Sequence, residues 1–144
     1  MKRKLKNDGF KVKQIKIFGD IEKAIKKIKK NIPHQKKSAL IFGGEVTINV
    51  KGGGMGGRCQ ELVLRILSQG LISKDHIIGA IGTDGIDGNT KYAGVISESK
   101  TNFSDMENYL KRNDSNSFFK KHGGLIMTGP TRTNLMDVGV ILRQ

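Results

Sequence analysis

From Ser38 onward, short apolar runs alternate with clusters of glycine and polar residues. Apolar runs of about four to eight residues bounded by such clusters are typical of buried β-strands. The segments that meet this description are SALIF (38–42), VTINV (46–50), HIIGAIG (76–82), AGVIS (93–97), LIMTG (125–129) and VGVIL (138–142). We therefore expect a fold built on a sheet, with Gly43 and Gly44 joining the first two strands.

Helical segments lie before and between these strands. After a β-prone segment at 10–18, Asp20 is placed to cap a helix that ends at Pro33. Its apolar residues recur at helical spacing and are Ile21, Ala24, Ile25, Ile28 and Ile32. Further helices are predicted after Gly57, at 104–112 and at 115–122. Strands alternating with helices predict an α/β fold, a layered sandwich with a mixed, largely parallel sheet flanked by helices.

The net charge of +13 is concentrated near the amino-terminal end of the chain. Residues 1–37 carry 14 Lys and Arg against three acids, whereas the remainder is nearly neutral. Few aromatic or arginine side chains accompany these lysines, which argues against a nucleic-acid partner. We expect residues 1–9 to form a mobile basic start and residues 10–144 to form a single α/β domain.

The single cysteine, Cys59, has no partner for an intramolecular disulfide bond and is expected to be a packing residue. No segment has the length and hydrophobicity of a membrane span, and none has the pattern of a signal peptide. We therefore expect a cytoplasmic protein that makes no membrane contact.

The strongest functional signal is a glycine-rich segment in which five glycines occur within six residues, immediately before Arg58. Such a loop can present N–H groups to an anion at a helix amino end, where Arg58 adds a cation with several donors. A sharp turn with a solvent-facing arginine would have the same sequence.

Gly52, Gly54 and Gly57 also satisfy the G-x-G-x-x-G dinucleotide fingerprint. The acid after the next strand, Asp84, lies 27 residues beyond Gly57, further than the spacing of about 20 that this fingerprint favours.

The segment GTDGIDG, residues 82–88, follows a predicted buried strand. Ligands in open α/β sheets collect at the carboxyl ends of strands, so Asp84 and Asp87 are placed to hold Mg²⁺ or to orient substrate hydroxyls. Asp-Gly pairs are also common turn formers.

The segment TGPTRTNLMD, residues 128–137, follows another predicted strand. Thr131, Thr133 and Asn134 supply hydroxyl and amide groups suited to phosphate or sugar-acid oxygens. A polar loop that caps the next element would use the same residues.

Taken in order, the motifs GGE, KGGGMGGRCQE, GTDGIDG, NDSNSFF and TGPTRTN resemble the MOFRL domain of the type-2 glycerate kinases. The resemblance implies the carboxyl-terminal part of a two-domain enzyme that phosphorylates D-glycerate at its 2-hydroxyl group with ATP and Mg²⁺. In that family the active site lies in the cleft between the two domains.

The resemblance also implies site residues, with Arg58 as the catalytic or phosphate-stabilising residue. Asp84 and Asp87 match the acids of the family's TDG-x-DG motif and are the candidates for holding Mg²⁺. The substrate- or phosphate-binding positions are Gly44, Glu45, Gly54, Gly57, Gln60, Glu61, Thr131, Thr133 and Asn134.

This chain departs from the family pattern at two positions, since Cys59 stands where the family usually has Asn and Arg132 where it usually has Gly. We also expect the family's amino-terminal domain, which carries a catalytic lysine, to be absent, so that the chain alone lacks kinase activity. Three alternatives remain open: an NAD(P)-dependent hydroxypyruvate reductase, a non-catalytic basic binding module, and a truncated remnant of a kinase.

Overall fold

The computed structural model describes residues 1–98 and 104–144. In these residues the strands are β1 (Lys11–Asp20), β2 (Ser38–Thr47), β3 (His76–Gly82), β4 (Gly94–Glu98), β5 (Leu125–Ile126) and β6 (Asp137–Arg143). The helices are α1 (Lys2–Asn7), α2 (Ile21–Lys29), α3 (Arg58–Ser68), α4 (Met106–Lys111) and α5 (Ser115–His122). The strands form a single sheet in the order β1-β2-β6-β3-β4-β5.

The predicted α/β fold with a mixed sheet flanked by helices is confirmed, but antiparallel pairs predominate in the sheet. Within the described residues β1 and β2 are parallel, and the other four neighbouring pairs are antiparallel. The reason is the course of β6, which enters between β2 and β3 and runs against both of them. Apolar runs bounded by glycine do not encode strand direction, so the expectation of a largely parallel sheet is corrected.

The two strands predicted at 38–42 and 46–50 are replaced by the single strand β2, which continues through Gly43 and Gly44. Gly44 has a φ of +143°, and a Cβ atom there would overlap the carbonyl oxygen of Ile17 on β1. Glycine at this position therefore serves the close approach of two parallel strands instead of forming a turn.

One face of the sheet is covered by α2 and α3. Asp20 caps α2 as predicted, because its Oδ1 atom accepts hydrogen bonds from the amides of Glu22 and Lys23 at 3.0 and 3.2 Å. The predicted apolar stripe of α2 is buried, and α3 contributes a larger share of the core. The buried apolar residues of α3 are Cys59, Leu62, Val63, Leu64, Ile66 and Leu67.

Two smaller elements differ from the sequence-based expectation in extent. The strand expected at 125–129 is limited to the two residues of β5. The first nine residues, expected to be a mobile start, include α1, none of whose residues is buried. No helix in the described part of the chain combines the length and apolarity needed to cross a membrane.

The loop before β6 contains backbone in a conformation that glycine adopts more easily than other residues. Arg132 has a φ of +59°. In this left-handed region the Cβ atom crowds the following carbonyl, at a cost of roughly 1–2 kcal/mol for an L-residue. Position 132 is also where the sequence departs from the glycine expected by resemblance, so the departure has a conformational cost.

We expect Arg132→Gly to raise the free energy of unfolding by about 0.5–1 kcal/mol, because glycine relieves the strain at φ +59° while adding some entropy to the unfolded chain. Urea unfolding followed by circular dichroism measures the change. Arg132→Ala is the matched control, since it removes the same cation but keeps the Cβ atom, and it should shift stability by less than about 0.5 kcal/mol. Equal gains from the two substitutions would show that side-chain loss, and not backbone strain, explains the effect.

Candidate functional site

Arg58 is the first residue of α3. It lies beside the end of the sheet at which the inner strands β2 and β3 finish and β6 begins. Its guanidinium group bridges two carboxylates. Nη1 donates to Oε1 of Glu45 on β2, and Nη2 lies 3.3 Å from Oδ1 of Asp137 on β6. Burial lowers the pKa of Arg58, but the charges of Asp137 and Glu45 outweigh burial and raise it. The side chain is 38% exposed, so the site offers solvent a permanently charged cation in a defined position.

Asp137 is the more enclosed of the two carboxylates, with a side chain only 12% exposed. Its backbone pairs with Gly44 on one side and Gly82 on the other, so it begins the central strand of the sheet. Oδ2 is buried, and no nitrogen or oxygen donor in the described residues reaches it. Burial raises the pKa of Asp137 to about 6; Arg58 opposes this shift, and the charges of Asp87 and Glu45 add to it.

The thiol of Cys59 is buried next to this acidic group. Burial is the main reason that its pKa is raised, and the negative charges of Asp87 and Asp137 raise it further. A thiol in such surroundings stays protonated and is a poor nucleophile. Its position in the core supports the expected packing role of Cys59.

Asp87 occupies the amino end of α3. Its side chain accepts hydrogen bonds from the amides of Cys59 and Gln60, at 3.0 and 2.9 Å, and from the Gln60 side-chain amide at 3.0 Å. These are donors that the first turn of a helix leaves without an intrahelical partner. Asp87 is 2% exposed, and burial raises its pKa although these hydrogen bonds act in the opposite direction. The anion at this helix end is therefore a side chain of the protein itself.

Gln60 and Glu61 are buried and connect α3 to the loop after β3 and to the beginning of α5. Gln60 is fully buried, and its side chain binds Asp87, Thr90 and Asn116. Glu61 is buried and accepts hydrogen bonds from Arg65 and from the side-chain amide of Asn113. These two predicted binding residues thus hold the helix in place through neighbouring side chains.

The glycine-rich loop is fixed by hydrogen bonds to the protein. The side chain of Asn113 accepts from the amides of Lys51 and Gly52, and the carbonyl of Arg112 accepts from Gly54. The amides of Met55 and Gly56 donate in the same way to Asp114 and Asn89. Most of the N–H groups expected to face an anion are therefore engaged within the protein.

The glycines of this loop permit close packing. A Cβ atom at Gly57 would overlap the carboxyl group of Asp87, and one at Gly54 would overlap Asp114 and the backbone of Arg112. The G-x-G-x-x-G spacing in this chain thus reflects contact between two protein segments.

The two polar segments at the carboxyl end of β3 and before β6 are joined to each other. Thr131 donates a hydrogen bond through its hydroxyl group to the carbonyl of Thr83, and its amide donates to the carbonyl of Asp84 at 3.0 Å. Asn134 accepts from the amide of Met136 at 3.1 Å, and Thr133 donates its amide to the Thr131 hydroxyl at 3.3 Å. These predicted binding residues therefore join the two segments into a hydrogen-bonded double loop.

A groove of about 440 Å³ opens beside Arg58, between the end of β2 and the glycine-rich loop. A second groove of about 610 Å³ lies on the side of Asp137. The first is lined by Val46, Ile48, Val50, Gly54, Gly57, Asn89 and Asn113, among others. Because Arg58 lines one groove and Asp137 the other, their ion pair lies at the boundary between two spaces large enough for small ligands.

The residues proposed for Mg²⁺ have different surroundings. Both oxygens of Asp87 accept hydrogen bonds from α3, whereas the side chain of Asp84 accepts one, from the amide of Ile86 at 3.1 Å. The described residues contain no cluster of three or more His, Cys, Asp or Glu side chains positioned to hold a metal ion. Mg²⁺ in nucleotide sites is often held by one or two carboxylates together with substrate phosphates, so Asp84 alone fits such a role.

The structure therefore brings Arg58 and Glu45 together where the inner strands end, and it brings Gln60 and Asp87 together at the amino end of α3. Two residues of the site were not predicted from the sequence: Asp137, which completes the first group, and Asn113, which holds the glycine-rich loop. Asp137 had one usable signal, because it is an acid placed directly before a predicted strand. Asn113 lies in the NDSNSFF motif, but nothing local indicates that its partners are Lys51 and Gly52.

The fold matches part of two larger solved structures. One is a glycerate kinase from Thermotoga maritima, with 37% sequence identity and a TM-score of 0.83 over 96% of this chain and 37% of that one. The other is a protein from Pyrococcus horikoshii, with 32% identity and a TM-score of 0.85 over 99% of this chain and 36% of that one. The class defined by this fold and site is thus an α/β domain of the type that a glycerate kinase contains.

The MOFRL family matches residues 38–137, and the chain belongs to that family. It is 42% identical over 121 residues to a glycerate 2-kinase of Picrophilus torridus, and 44% identical over 133 residues to a D-glycerate 2-kinase of Thermotoga maritima. These alignments cover 83% and 85% of this chain. They cover 29% and 31% of the relatives, so the chain spans about a third of their length.

We expect Asp87→Ala to lower the free energy of unfolding by about 2–4 kcal/mol, because it leaves two backbone amides and the Gln60 side chain without a buried acceptor. Chemical unfolding at neutral pH measures this effect. Asp84→Ala is the matched control from the same segment and should cost no more than about 1 kcal/mol, since it removes one partly exposed acceptor. Similar losses for both variants would contradict the capping role of Asp87.

Asp137 should make stability decrease as the pH rises. Its folded-state pKa of about 6 lies above that of an unfolded aspartate, so the folded state binds the proton more tightly, and this contribution is lost as the pH rises through 6. Between about pH 4 and pH 7 we expect the wild-type unfolding free energy to fall by roughly 2 kcal/mol relative to Asp137→Asn. Urea unfolding across this range tests the expectation, and parallel curves for the two proteins would refute it.

Proposed function

We propose that this chain forms the carboxyl-terminal part of a glycerate 2-kinase, which transfers a phosphoryl group from ATP to the 2-hydroxyl group of D-glycerate. The observation that carries the proposal is the partly exposed guanidinium group of Arg58, held by Glu45 and Asp137 where β2 ends and β6 begins. The named relatives supply the reaction, because they are glycerate 2-kinases that match most of this chain.

The reaction requires a cation in a fixed position. Phosphoryl transfer is accelerated mainly by positioning and by neutralising charge on the transferring group and its neighbours. An arginine suits this task since its guanidinium group is planar, stays charged and forms two parallel hydrogen bonds to a carboxylate or phosphate. In our proposal Arg58 contacts the glycerate carboxylate or the transferring phosphoryl group from the groove beside the glycine-rich loop.

Other residues act by holding this cation in place. Asp87 and Gln60 fix the first turn of α3, and Arg58 begins that turn. Gly54 and Gly57 allow the neighbouring segments to approach, and Gly44 allows β1 and β2 to pack. We assign these residues a positioning role in the proposed site.

The double loop between β3 and β6 supplies the other polar groups that this chain contributes to the proposed site. Thr131, Thr133 and Asn134 stabilise an exposed loop joined to Thr83, and in our proposal this loop contacts substrate oxygens. Asp84 would contribute one carboxylate oxygen to Mg²⁺, which supplies charge neutralisation on the phosphates when bound. The rest of the site is assigned to the preceding kinase domain, in the same chain or in a partner.

The amino end of α3 disfavours an NAD(P)-dependent reductase. Its fingerprint requires the helix amino end to receive a pyrophosphate, and in this chain Asp87 occupies that position. The lysines of the basic amino-terminal segment have a structural role that needs no nucleic-acid partner. Lys11, Lys13 and Lys16 lie on β1, an edge strand of the sheet, where lysines commonly prevent pairing with another chain.

A chimera tests the proposed function. The amino-terminal part of the Thermotoga maritima D-glycerate 2-kinase, fused to this chain, should form 2-phosphoglycerate from ATP and D-glycerate. Arg58→Ala in the chimera should lower kcat by about 100-fold or more, because the charge that it removes is required in the transition state. Coupled assays of ADP release, with phosphorus NMR of the product, measure the reaction.

The matched control is Arg112→Ala, which removes an exposed arginine near the glycine-rich loop and should leave kcat within about twofold. The chain without the added domain should show no measurable turnover. Full activity of the Arg58→Ala chimera would refute the assigned role of Arg58, and robust turnover by the isolated chain would refute the need for a second domain.

A further inference from the structure

The two carboxylates that hold Arg58 are unequal in exposure and in backbone environment. The side chain of Glu45 is 53% exposed and stands near the end of β2. The side chain of Asp137 is 12% exposed and belongs to β6, which is hydrogen-bonded on both sides. The same guanidinium group therefore has one partner that is largely exposed to solvent and one that is enclosed.

From this asymmetry we infer that Asp137 is the positioning residue that orients Arg58, and that Glu45 is a displaceable partner whose carboxylate occupies the place of a bound anionic oxygen. This inference rests on the proposed function and refines it, because it separates the roles of two residues at the same cation. The ligand class is an anionic oxygen group, either the carboxylate of a small hydroxy acid or a phosphate.

Glu45 meets the requirements of a displaceable partner. An exposed carboxylate paired with an arginine gains little free energy, since water and salt compete for both groups. Its carboxylate also has the shape and charge of the expected ligand group, and it uses Nη1 of Arg58, the nitrogen that Asp137 does not use. Moving Glu45 into solvent would leave this nitrogen without its carboxylate partner, on a residue that lines the groove beside the glycine-rich loop.

Asp137 meets the requirements of a fixed partner. Its neighbours in the two adjacent strands, Gly44 and Gly82, have no side chains. The Asp137 carboxylate therefore has room beside both strands. Oδ1 faces Arg58, while Oδ2 is enclosed and reached by no nitrogen or oxygen donor of the described chain. The Asp137 carboxylate is therefore enclosed beside the buried Cys59 thiol, whereas the Glu45 carboxylate faces solvent.

The charges lead to the same conclusion. Arg58, Glu45 and Asp137 together carry one positive and two negative charges, so an incoming anion is repelled while both carboxylates remain in place. Departure of the exposed Glu45 removes one negative charge from the site at small cost. Departure of Asp137 would release the guanidinium group from its fixed position.

The experiment measures protection of Arg58 from phenylglyoxal in the full chain, with the Arg58 peptide quantified by mass spectrometry. Inorganic phosphate and D-glycerate are used as two separate protecting ligands, each in a concentration series. The variants are Glu45→Gln and Asp137→Asn, and the charge-matched control is Glu107→Gln on α4. Circular dichroism verifies that each variant is folded.

We expect Glu45→Gln to lower the ligand concentration for half-protection by about twofold to fivefold, the range for loss of an exposed competing ion pair. Asp137→Asn should raise it by at least a similar factor, because the guanidinium group is then no longer held for binding. Glu107→Gln should leave it unchanged. A simple loss of negative charge predicts tighter binding in both site variants, so the opposite signs distinguish positioning from charge.

Tighter protection in Asp137→Asn would overturn the positioning role, and unchanged protection in Glu45→Gln would overturn the displaceable role. If Asp137→Asn does not fold, Asp137→Glu replaces it and should still weaken protection, since the longer side chain misplaces the guanidinium group. If neither phosphate nor D-glycerate protects Arg58, in the wild type or in Glu45→Gln, the inference as a whole is overturned. Protection by phosphate without protection by D-glycerate would retain the anion site and count against the proposed substrate.

Discussion

The position of Arg58 depends on the buried carboxylate of Asp87 at the amino end of α3. A helix leaves its first amides without partners, and a buried helix end needs an acceptor for them. Asp87 provides that acceptor for the two residues that directly follow Arg58. Gln60 extends the contact to Thr90 and Asn116, so α3 is attached to two other segments at its first turn. The catalytic candidate is exposed, but the group that fixes it is enclosed.

The glycines of the glycine-rich loop before α3 have a different function from the one that their spacing indicates. A glycine-rich loop before a helix is usually interpreted as a cradle for a ligand phosphate. Here the same residues permit close contact between protein segments, because side chains at Gly54 and Gly57 would overlap Asp114 and Asp87. The helix dipole is balanced by a carboxylate of the protein, and the site is left with a side-chain cation, Arg58, as its main group for an anion.

Much of the fold and part of the site could be predicted because their signals are local. Strand positions follow from apolar runs, the α2 stripe from helical spacing, and the cap at Asp20 from its place before the helix. Other features depend on contacts distant in sequence. The partners of Asp87 lie 28 and 27 residues away, and those of Asn113 lie more than 50 residues away. The direction of β6 likewise depends on where the strand inserts, which no local pattern specifies.

The placement of β6 also determines the order in which the domain can be completed during synthesis. This strand follows all the others along the chain, yet it lies between β2 and β3. Without β6 the inner edges of β2 and β3 have no pairing partner, and Arg58 lacks one of its two carboxylate partners. Such long-range pairing slows folding and leaves unpaired edges open to aggregation. Insertion of β6 therefore joins the sheet and brings Asp137 to Arg58 in the same event.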